Sequence, residues 1–457
     1  MSYDRTPAAD ADRIWGRRAT RSRWHQLWIA VLRAQVEVNP KHPGKDDIVK
    51  YEQAARAYAD EHAPTRWDDL VDQHELQTRH DLQAELQVFN EYAGAHTAHM
   101  GLTSHDIVDG GTQIAIHDSL VLLIDRARQT RRKLSETAHK YKDLLAVGRT
   151  HGQPAQAIPY GYRYATLAAA LNAWIKRAEW WQLNQPGRPP YGAVGTAADL
   201  MRVALSWDAP APAHHRDLPH EIASKFLKSR YRPRLEATRQ VYHRSQDIHT
   251  AALLVELASI AQTWATDRRL ETMLGHGAES RTVGQVGSSA MPHKINPVLC
   301  ERICSLAAIQ RGFLTTAAEL GHSEWLEGDV SGSAGRRHWL PGMFRTAEQI
   351  LHNWAEATHR WTVDEAAITH DMHWHQTQLY TGAALQGLIE RGTPREEAYR
   401  LVQHAASMFG AGASHTNLAE ELAVMAGASD MRKAWVGWQL HTEYARDVLI
   451  HDVKDSG

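Results

Sequence analysis

Residues 247–267, DIHTAALLVELASIAQTWATD, carry only one charged side chain, Glu256, between their two terminal aspartates. A helix that is apolar nearly all round packs in the centre of a bundle rather than on its surface. At 1.5 Å per residue such a helix spans about 30 Å. Apolar residues at turn spacings also fill residues 164–178, and sustained strand alternation is hard to find. The sequence therefore predicts an all-α fold with a long central helical bundle.

Smaller helical units are expected on both sides of this bundle. Residues 24–32 form an amphipathic stripe before the prolines at 40 and 43, and residues 393–403 begin with a capping-box pattern. We predict an N-terminal helical domain over residues 1–106, the central bundle over 107–361, and a C-terminal helical domain over 362–457.

The composition excludes several classes of protein. The 51 basic and 53 acidic residues nearly cancel, which argues against binding nucleic acid or a membrane surface through bulk charge. The two cysteines, Cys300 and Cys304, have helical spacing and are more consistent with packed thiols than with a disulfide. No signal peptide or membrane span is apparent. We expect a soluble, cytoplasmic protein.

The chain contains 29 histidines, which raises the question of a metal site. The densest cluster is His370, His373 and His375, and on a helix only the first two share a face. No carboxylate or thiolate completes a ligand set there, and no HExxH, CxxC, Walker or GxGxxG pattern occurs. We therefore predict no metal and no organic cofactor, and expect solvated or packed histidines.

Residues 284–301, GQVGSSAMPHKINPVLCE, have the residue types of an anion-binding loop. Gly287, Ser288 and Ser289 allow the backbone to bend closely around a ligand, and Lys294 and Asn296 supply a cation and an amide. Prolines at 292 and 297 interrupt any helix, and a helical pattern begins at residue 298. The alternative is an ordinary Gly/Ser-rich connection.

Three further polar segments are candidate binding sites. TSHD at 103–106 is a helix cap, and hydroxyl groups at a helix start also bind carboxylates. GRTHGQPAQ at 148–156 contains His151, which is either a turn residue or a functional one. Residues 324–341 bring Ser333 and Arg337 near two glycines, which suits an anion, or else form a solvated charged surface.

These segments resemble the signature regions of the fumarase/aspartase superfamily. The matches are TSHD at 103–106, GRTHGQP at 148–154 and the loop GSSxMPxKxNP at 287–297, with a glutamate seven residues after the lysine. Within the superfamily the chain is most similar to the adenylosuccinate lyase family, through TRHD at 78–81 and RQVYHRSQDI at 239–248. The resemblance covers nearly the whole chain. It implies a homotetramer whose active sites are shared between subunits.

The resemblance also implies a reaction, the elimination of fumarate from an N-succinyl substrate. The substrate implied is adenylosuccinate, cleaved to AMP, with the related cleavage of SAICAR in purine biosynthesis. The alternative is another lyase or cycloisomerase that acts on a non-nucleotide substituted succinate. By resemblance, Ser288 is the general base, His151 the general acid, Lys294 and Asn296 stabilise the carboxylate, Glu301 orients the site, and His80 acts beside them. The implied substrate contacts are Tyr3, Thr103, Ser104, Asp106, Thr150, Gln240, Ser289, Met291, Asn296, Arg302, Ser333 and Arg337.

Two positions depart from the pattern of that family. Ser2 and Gly328 stand where arginines of the phosphate site are expected. Either nearby cations compensate for these losses, the candidates being Arg5, Arg17, Arg21 and Arg337, or the substrate carries no phosphate at that place. We favour compensation, because Ser333, Arg337 and Gln240 remain where a nucleotide site would need them.

Overall fold

The computed structural model describes residues 8–60, 66–205, 237–281, 284 and 290–408. The chain divides into two compact units. The first comprises Met1–Arg126, Trp174–Ser259 and Ser305–His352, and the second comprises Ala127–Ala173, Ile260–Cys304 and Asn353–Gly457. The three-domain division expected from the sequence stays a prediction.

Helices make up most of the described chain, as the sequence predicted. In chain order they are α1 Ala9–Trp15, α2 Arg17–Val38, α3 Asp47–Ala59, α4 Arg66–Thr78, α5 Asp81–Ala93, α6 Ser104–Lys140, α7 Tyr162–Asn184, α8 Ala198–Leu205, α9 Ser245–Met273, α10 Val298–His322, α11 Ser333–Arg360, α12 Glu365–Trp374, α13 Gln376–Glu390 and α14 Arg395–Met408.

The strands of the described chain are short and form two antiparallel pairs. β1 (Leu145–Thr150) pairs with β2 (Gln153–Pro159), and β3 (Gly277–Glu279) pairs with β4 (Trp361–Val363). The fold class predicted from the sequence is confirmed. Strands this short give no sustained alternation, which is why the sequence did not indicate them.

The first unit contains an aromatic core around α2. The stripe predicted in residues 24–32 is buried, with Trp28 and Val31 each 1% exposed. Trp28 stacks on Phe89 of α5, with ring centroids 5.7 Å apart, and α2 also packs against α3. The apolar face of α2 therefore packs into the core, as its amphipathic pattern predicted.

A partly buried hydrogen bond at this core makes the stability depend on pH. The indole Nε1 of Trp28 donates to Nδ1 of His99, at 2.9 Å. Burial, and secondarily the nearby His80, lower the pKa of His99 to about 4. The folded state therefore holds His99 neutral, whereas the unfolded chain protonates it near pH 6.5.

We expect stability to be full above pH 6.5 and to fall as the pH decreases towards 4, by about 3 kcal/mol from His99 alone. In His99→Asn this part of the pH dependence should disappear. Asparagine offers an acceptor to Trp28 and tolerates the positive φ of 72° at this position. Urea unfolding of both proteins across this pH range measures the difference. An equally steep decline in the variant would contradict the assignment.

The long helix predicted in residues 247–267 is α9. Within the first unit it packs against α7, where Nε1 of Trp174 donates to the carbonyl of Leu253 at 2.7 Å. Nε1 of Trp181 donates to Oγ1 of Thr250 at 3.0 Å. The buried hydrophobic residues of α9 are Ala251, Leu253, Leu254, Leu257, Ala258, Ala261, Trp264 and Ala265.

Among the described residues, α6 is the helix long and apolar enough to cross a membrane by composition. Within its most apolar window, 61% is buried inside the protein. This burial fits a helix of a protein core.

Candidate active site

The predicted site residues divide between the two units. The first unit holds His80, Thr103, Ser104, Asp106, Gln240, Ser333 and Arg337. The second unit holds Thr150, His151, Met291, Lys294, Asn296, Glu301 and Arg302. Tyr3, Ser288 and Ser289 lie outside the described residues, as do the Ser2 and Arg5 positions.

His80 and Ser104 come together at the starts of two helices. His80 precedes α5, and its Nδ1 accepts from the backbone N–H of Gln83 at 3.4 Å. Its Nε2 lies 3.3 Å from Oγ of Ser104, the first residue of α6. Because Nδ1 accepts, Nε2 carries the proton of the neutral ring and donates to Ser104. The two side chains therefore form one polar site with Thr103 beside it.

Asp106 has a different position from its neighbours. Its side chain is fully buried, and Oδ1 lies 2.5 Å from Nη1 of the equally buried Arg188. It also accepts from the backbone N–H groups of Thr103, at 2.7 Å, and Gly192, at 3.2 Å. These bonds give Asp106 a role as helix cap and ion-pair partner, and its assignment as a substrate contact stays a prediction. Burial raises the pKa of Asp106 above its ordinary value, and Arg188 offsets part of this effect.

In the second unit, His151 occupies the tip of the β1–β2 hairpin. Thr150 pairs with Gln153, which leaves His151 and Gly152 as a two-residue loop. Their φ angles are 53° and 77°, and a turn with two positive φ values matches the twist of a hairpin. Histidine in this left-handed conformation is uncommon. His151 is exposed at the tip of this turn.

The hairpin is anchored by Asp371 of α12, a residue that the sequence analysis missed. Nη2 of Arg149 donates to both carboxylate oxygens of Asp371, at 2.9 and 3.0 Å. Nε2 of His276 and Nε2 of His375 each lie 3.3 Å from the same carboxylate. This explains His375 as part of a structural cluster. Among the described residues, no group of three acidic, histidine or cysteine side chains is arranged to hold a metal ion.

The described part of the signature loop is non-helical, and α10 begins at Val298, as the sequence predicted. Nη2 of Arg281 donates to the carbonyls of Pro292, at 2.7 Å, and Lys294, at 3.3 Å. This arginine therefore fixes the backbone of the loop. The side chains of Lys294 and Met291 are exposed, and that of Asn296 is half-buried.

Glu279 of β3 fixes the start of α10. Its buried carboxylate accepts from the backbone N–H of Cys300, at 3.1 Å, and of Leu299, at 3.3 Å. A carboxylate at a helix N-terminus satisfies unpaired N–H groups and interacts favourably with the helix dipole. Glu301 and Arg302 remain exposed on the first turn. Burial, followed by Glu279, raises the pKa of Cys300, so this cysteine is a packed thiol, as expected.

Ser333 and Arg337 line a cavity of about 250 Å³ in the first unit, at the start of α11. Nη1 of Arg337 lies 2.8 Å from Oδ2 of Asp81, the residue that follows His80. Gln240 donates its backbone N–H to the carbonyl of Glu327, at 2.8 Å. A Cβ on Gly328 would lie 2.4 Å from Oε1 of Gln240. The side chain of Gln240 thus fills the space that a larger residue at 328 would need.

A buried charged network forms one wall of this cavity. Nε of Arg336 donates to Oδ2 of Asp247 at 2.6 Å, and Nη1 of Arg244 donates to Oδ1 of Asp109 at 3.1 Å. Burial alone would raise the pKa of Asp109, but Arg244 and then His105 and Arg336 hold it well below its usual range. The network therefore keeps its charges paired at neutral pH.

Two of the cations expected to compensate for Ser2 and Gly328 have carboxylate partners, and a third, Arg5, lies outside the described residues. Arg17 pairs with Asp72, and Arg21 pairs with Asp68. Arg21 is buried, with its Nε also 2.9 Å from Glu85. The described geometry therefore gives no support to compensation by Arg17 or Arg21.

Comparisons with known proteins agree with this fold and these segments. A fumarate lyase from Mesorhizobium sp. BNC1 has a similar structure, with a TM-score of 0.74, 20% identity, and coverage of 96% of this chain and 93% of that chain. The fold is therefore that of the helical-bundle lyases.

The sequence comparisons identify the family. The model of a family described as "Lyase" matches residues 9–310. Adenylosuccinate lyase of Archaeoglobus fulgidus is 28% identical over 398 residues, which cover 86% of this chain and 83% of the relative. That of Saccharomyces cerevisiae is 29% identical over 392 residues, which cover 84% and 78%. The chain belongs to this lyase family, within the fumarase/aspartase superfamily.

Proposed function

We propose that the protein is a C–N lyase that releases fumarate from an N-succinyl substrate. The observation that carries the proposal is His151, an exposed imidazole held at the tip of a hairpin in an uncommon left-handed conformation. Such a conformation persists only where the surrounding structure enforces it, and it concentrates at functional sites. Membership of the lyase family supplies the reaction class.

In the proposed reaction, a proton leaves the carbon next to a carboxylate while the opposite C–N bond breaks. Ser288 accepts the proton, and Lys294 with Asn296 stabilises the negative charge that gathers on the carboxylate. His151 donates a proton to the departing nitrogen, and the electron pair of the broken C–H bond forms the double bond of fumarate. Glu301 orients the loop. His80, Thr103 and Ser104 contact the succinyl carboxylates.

The second unit supports this chemistry with fixed elements. Asp371 anchors the hairpin that carries His151, Arg281 holds the loop backbone at Lys294, and Glu279 holds the helix start before Glu301. Catalytic groups are effective when neighbouring bonds hold them in position. These three anchors are therefore positioning residues for the proposed general acid and loop.

The proposed assembly is a homotetramer with shared active sites. It is tested by mixing two inactive variants, Ser288→Ala and His151→Asn, after partial dissociation. If the two residues of one site come from different subunits, hybrid tetramers regain part of the parental activity. A tetramer in light scattering whose mixed variants stay inactive would show that each site lies within one subunit.

The leaving amine has two candidates. Adenylosuccinate is supported by the relatives of that name, at 28% and 29% identity over most of the chain. A non-nucleotide amine is supported by Gly328, which stands where an arginine of the phosphate site is expected and packs against the side chain of Gln240.

The test is fumarate release, followed by ultraviolet absorbance, from adenylosuccinate and from a panel of N-substituted aspartates. If none of these compounds releases fumarate, the proposed function is wrong.

We expect activity to survive extensive chelation, since side chains fill every proposed role. Loss of activity in EDTA with recovery on adding a divalent ion would contradict the prediction that no metal is needed.

A further inference from the structure

The cavity at the start of α11 has a wall suited to a flat, uncharged group. Three indole rings line it, those of Trp15, Trp24 and Trp339. Trp24 and Trp339 are 8% and 3% exposed, so both are held firmly by their surroundings. Aromatic walls with a few polar groups bind apolar or aromatic ligands. Ser333 and Arg337 place this cavity at the predicted substrate site.

The cavity lining contains equal numbers of arginine and carboxylate side chains. The arginines among them are Arg23, Arg244, Arg336 and Arg337. The carboxylates are Asp81, Asp247, Glu324 and Asp329. With as many acidic as basic side chains around it, the cavity offers no net positive field to a phosphate dianion.

Two of these arginines are locked in the buried network. Arg336 has a side chain 11% exposed and donates to Asp247 through Nε and Nη2, at 2.6 and 3.2 Å. Arg244 has a side chain 12% exposed and contacts Asp109 and Glu324. Turning either guanidinium towards a ligand would take a cationic partner away from a buried carboxylate, which is costly.

The other two arginines are engaged at the rim. Nη1 of Arg337 is 2.8 Å from Oδ2 of Asp81, so this carboxylate offsets part of the positive charge that a phosphate would meet. Nη1 of Arg23 donates to the carbonyl of Ile14 at 2.7 Å, and its Nη2 donates to Oγ1 of Thr20 at 3.2 Å. Each guanidinium group of the lining therefore already has protein partners.

We propose that this cavity binds the amine side of the substrate as an uncharged, aromatic group that carries no phosphate. The inference rests on the proposed function and names the class of leaving group for that reaction. The indole walls favour a flat ring, and the paired arginines make a phosphate unfavourable. The side chain of Gln240 lies against Gly328, so this position of the site carries an amide rather than a cation.

A matched pair of substrates tests the inference. Adenylosuccinate and N6-succinyladenosine differ only in the phosphate, and N-phenylaspartate provides a smaller aromatic amine. We expect kcat/KM for succinyladenosine to equal or exceed that for adenylosuccinate, and inorganic phosphate at millimolar concentration not to compete. An enzyme that uses arginine–phosphate contacts would lose about tenfold or more when the phosphate is removed. That loss, or competitive inhibition by phosphate, would overturn the inference while leaving the lyase function intact.

A variant that narrows the cavity gives a second readout. Val108 of α6 lines the cavity, and Val108→Phe should raise KM for the phosphate-free aromatic substrate by about tenfold with little change in kcat. The matched control is Val49→Phe, at a position 56% exposed on α3, which should leave both constants unchanged. Equal constants for Val108→Phe and the parent would place the amine elsewhere.

A second variant tests the charge argument directly. Asp81→Asn removes the carboxylate paired with Arg337 but keeps an oxygen that can accept from the backbone N–H of Leu82, as Asp81 does at 2.8 Å. The variant should acquire competitive inhibition by inorganic phosphate, with an inhibition constant about tenfold or more below that of the parent. An unchanged response to phosphate would show that Asp81 does not control the charge of the cavity.

Failure of the lyase function is distinguishable from failure of this inference. If no compound releases fumarate, tryptophan fluorescence still reports binding, because three indoles line the cavity. Adenosine or aniline should then quench this signal at lower concentration than AMP. Binding of AMP in preference to both, or of none of the three, would overturn the inference.

Discussion

Replacing Ser288 with alanine is expected to lower kcat by about two orders of magnitude or more while the substrate still binds. The change removes the proposed proton acceptor and leaves Lys294 and Asn296 to hold the carboxylate. Steady-state kinetics gives kcat, and isothermal titration of the inactive variant gives Kd. A decrease in kcat with Kd close to the parental KM is the expected pattern.

The matched control is the neighbouring Ser289→Ala, which should alter KM more than kcat because Ser289 is a predicted substrate contact. His151→Asn should be severely impaired as well, and less so for substrates whose leaving group needs no protonation. Near-parental turnover by Ser288→Ala would show that another group is the base.

Replacing Arg188 with methionine is expected to lower the free energy of unfolding by about 3–5 kcal/mol. Arg188 and Asp106 are both fully buried, so the variant leaves a buried carboxylate without its cation. Chemical denaturation measures the loss. The exposed pair of Arg177 and Glu256 is the control, since Arg177→Met should cost no more than about 1 kcal/mol.

The double variant Arg188→Met with Asp106→Asn should recover part of the loss, because the asparagine is uncharged and still accepts from Thr103.

The free energy of unfolding of the single variant Arg188→Met should also depend on pH. The pKa of Asp106 in the folded state is already raised by burial, and loss of Arg188 raises it further. Stability of Arg188→Met should therefore be greatest below the ordinary aspartate pKa and fall as the pH rises through the raised value. A stability loss that is independent of pH and unrelieved in the double variant would contradict this account.

The lyase family of the chain and the local positions of several site residues follow from the sequence. The start of α10 at Val298, directly after Pro297, was predicted from the proline and the apolar spacing. The loop position of Lys294 was predicted in the same way, and a turn position was one of the two alternatives for His151. These features depend on residues close in sequence, where proline, glycine and capping rules apply.

Partners distant in sequence were not predictable. Asp371 is 222 residues from Arg149, and Asp106 is 82 residues from Arg188. The sequence showed TSHD as a cap and possible carboxylate site, but the burial of Asp106 and the identity of its cation appear only when the chain is folded. Likewise, the histidines at 370, 373 and 375 raised the possibility of a metal site. The structure shows that His375 contacts the carboxylate of Asp371.

Helix periodicity and turn chemistry act over a few residues, so the long apolar helices, the all-α class and the polar signature segments were predictable from the sequence. Which charges are paired became known only from the folded chain. From the sequence, Arg337 was predicted to be a cation for an anionic ligand. In the folded chain its Nη1 lies 2.8 Å from Oδ2 of Asp81, the first residue of α5. Whether an arginine can hold a phosphate depends on the carboxylates that packing brings beside it, and those come from distant parts of the chain.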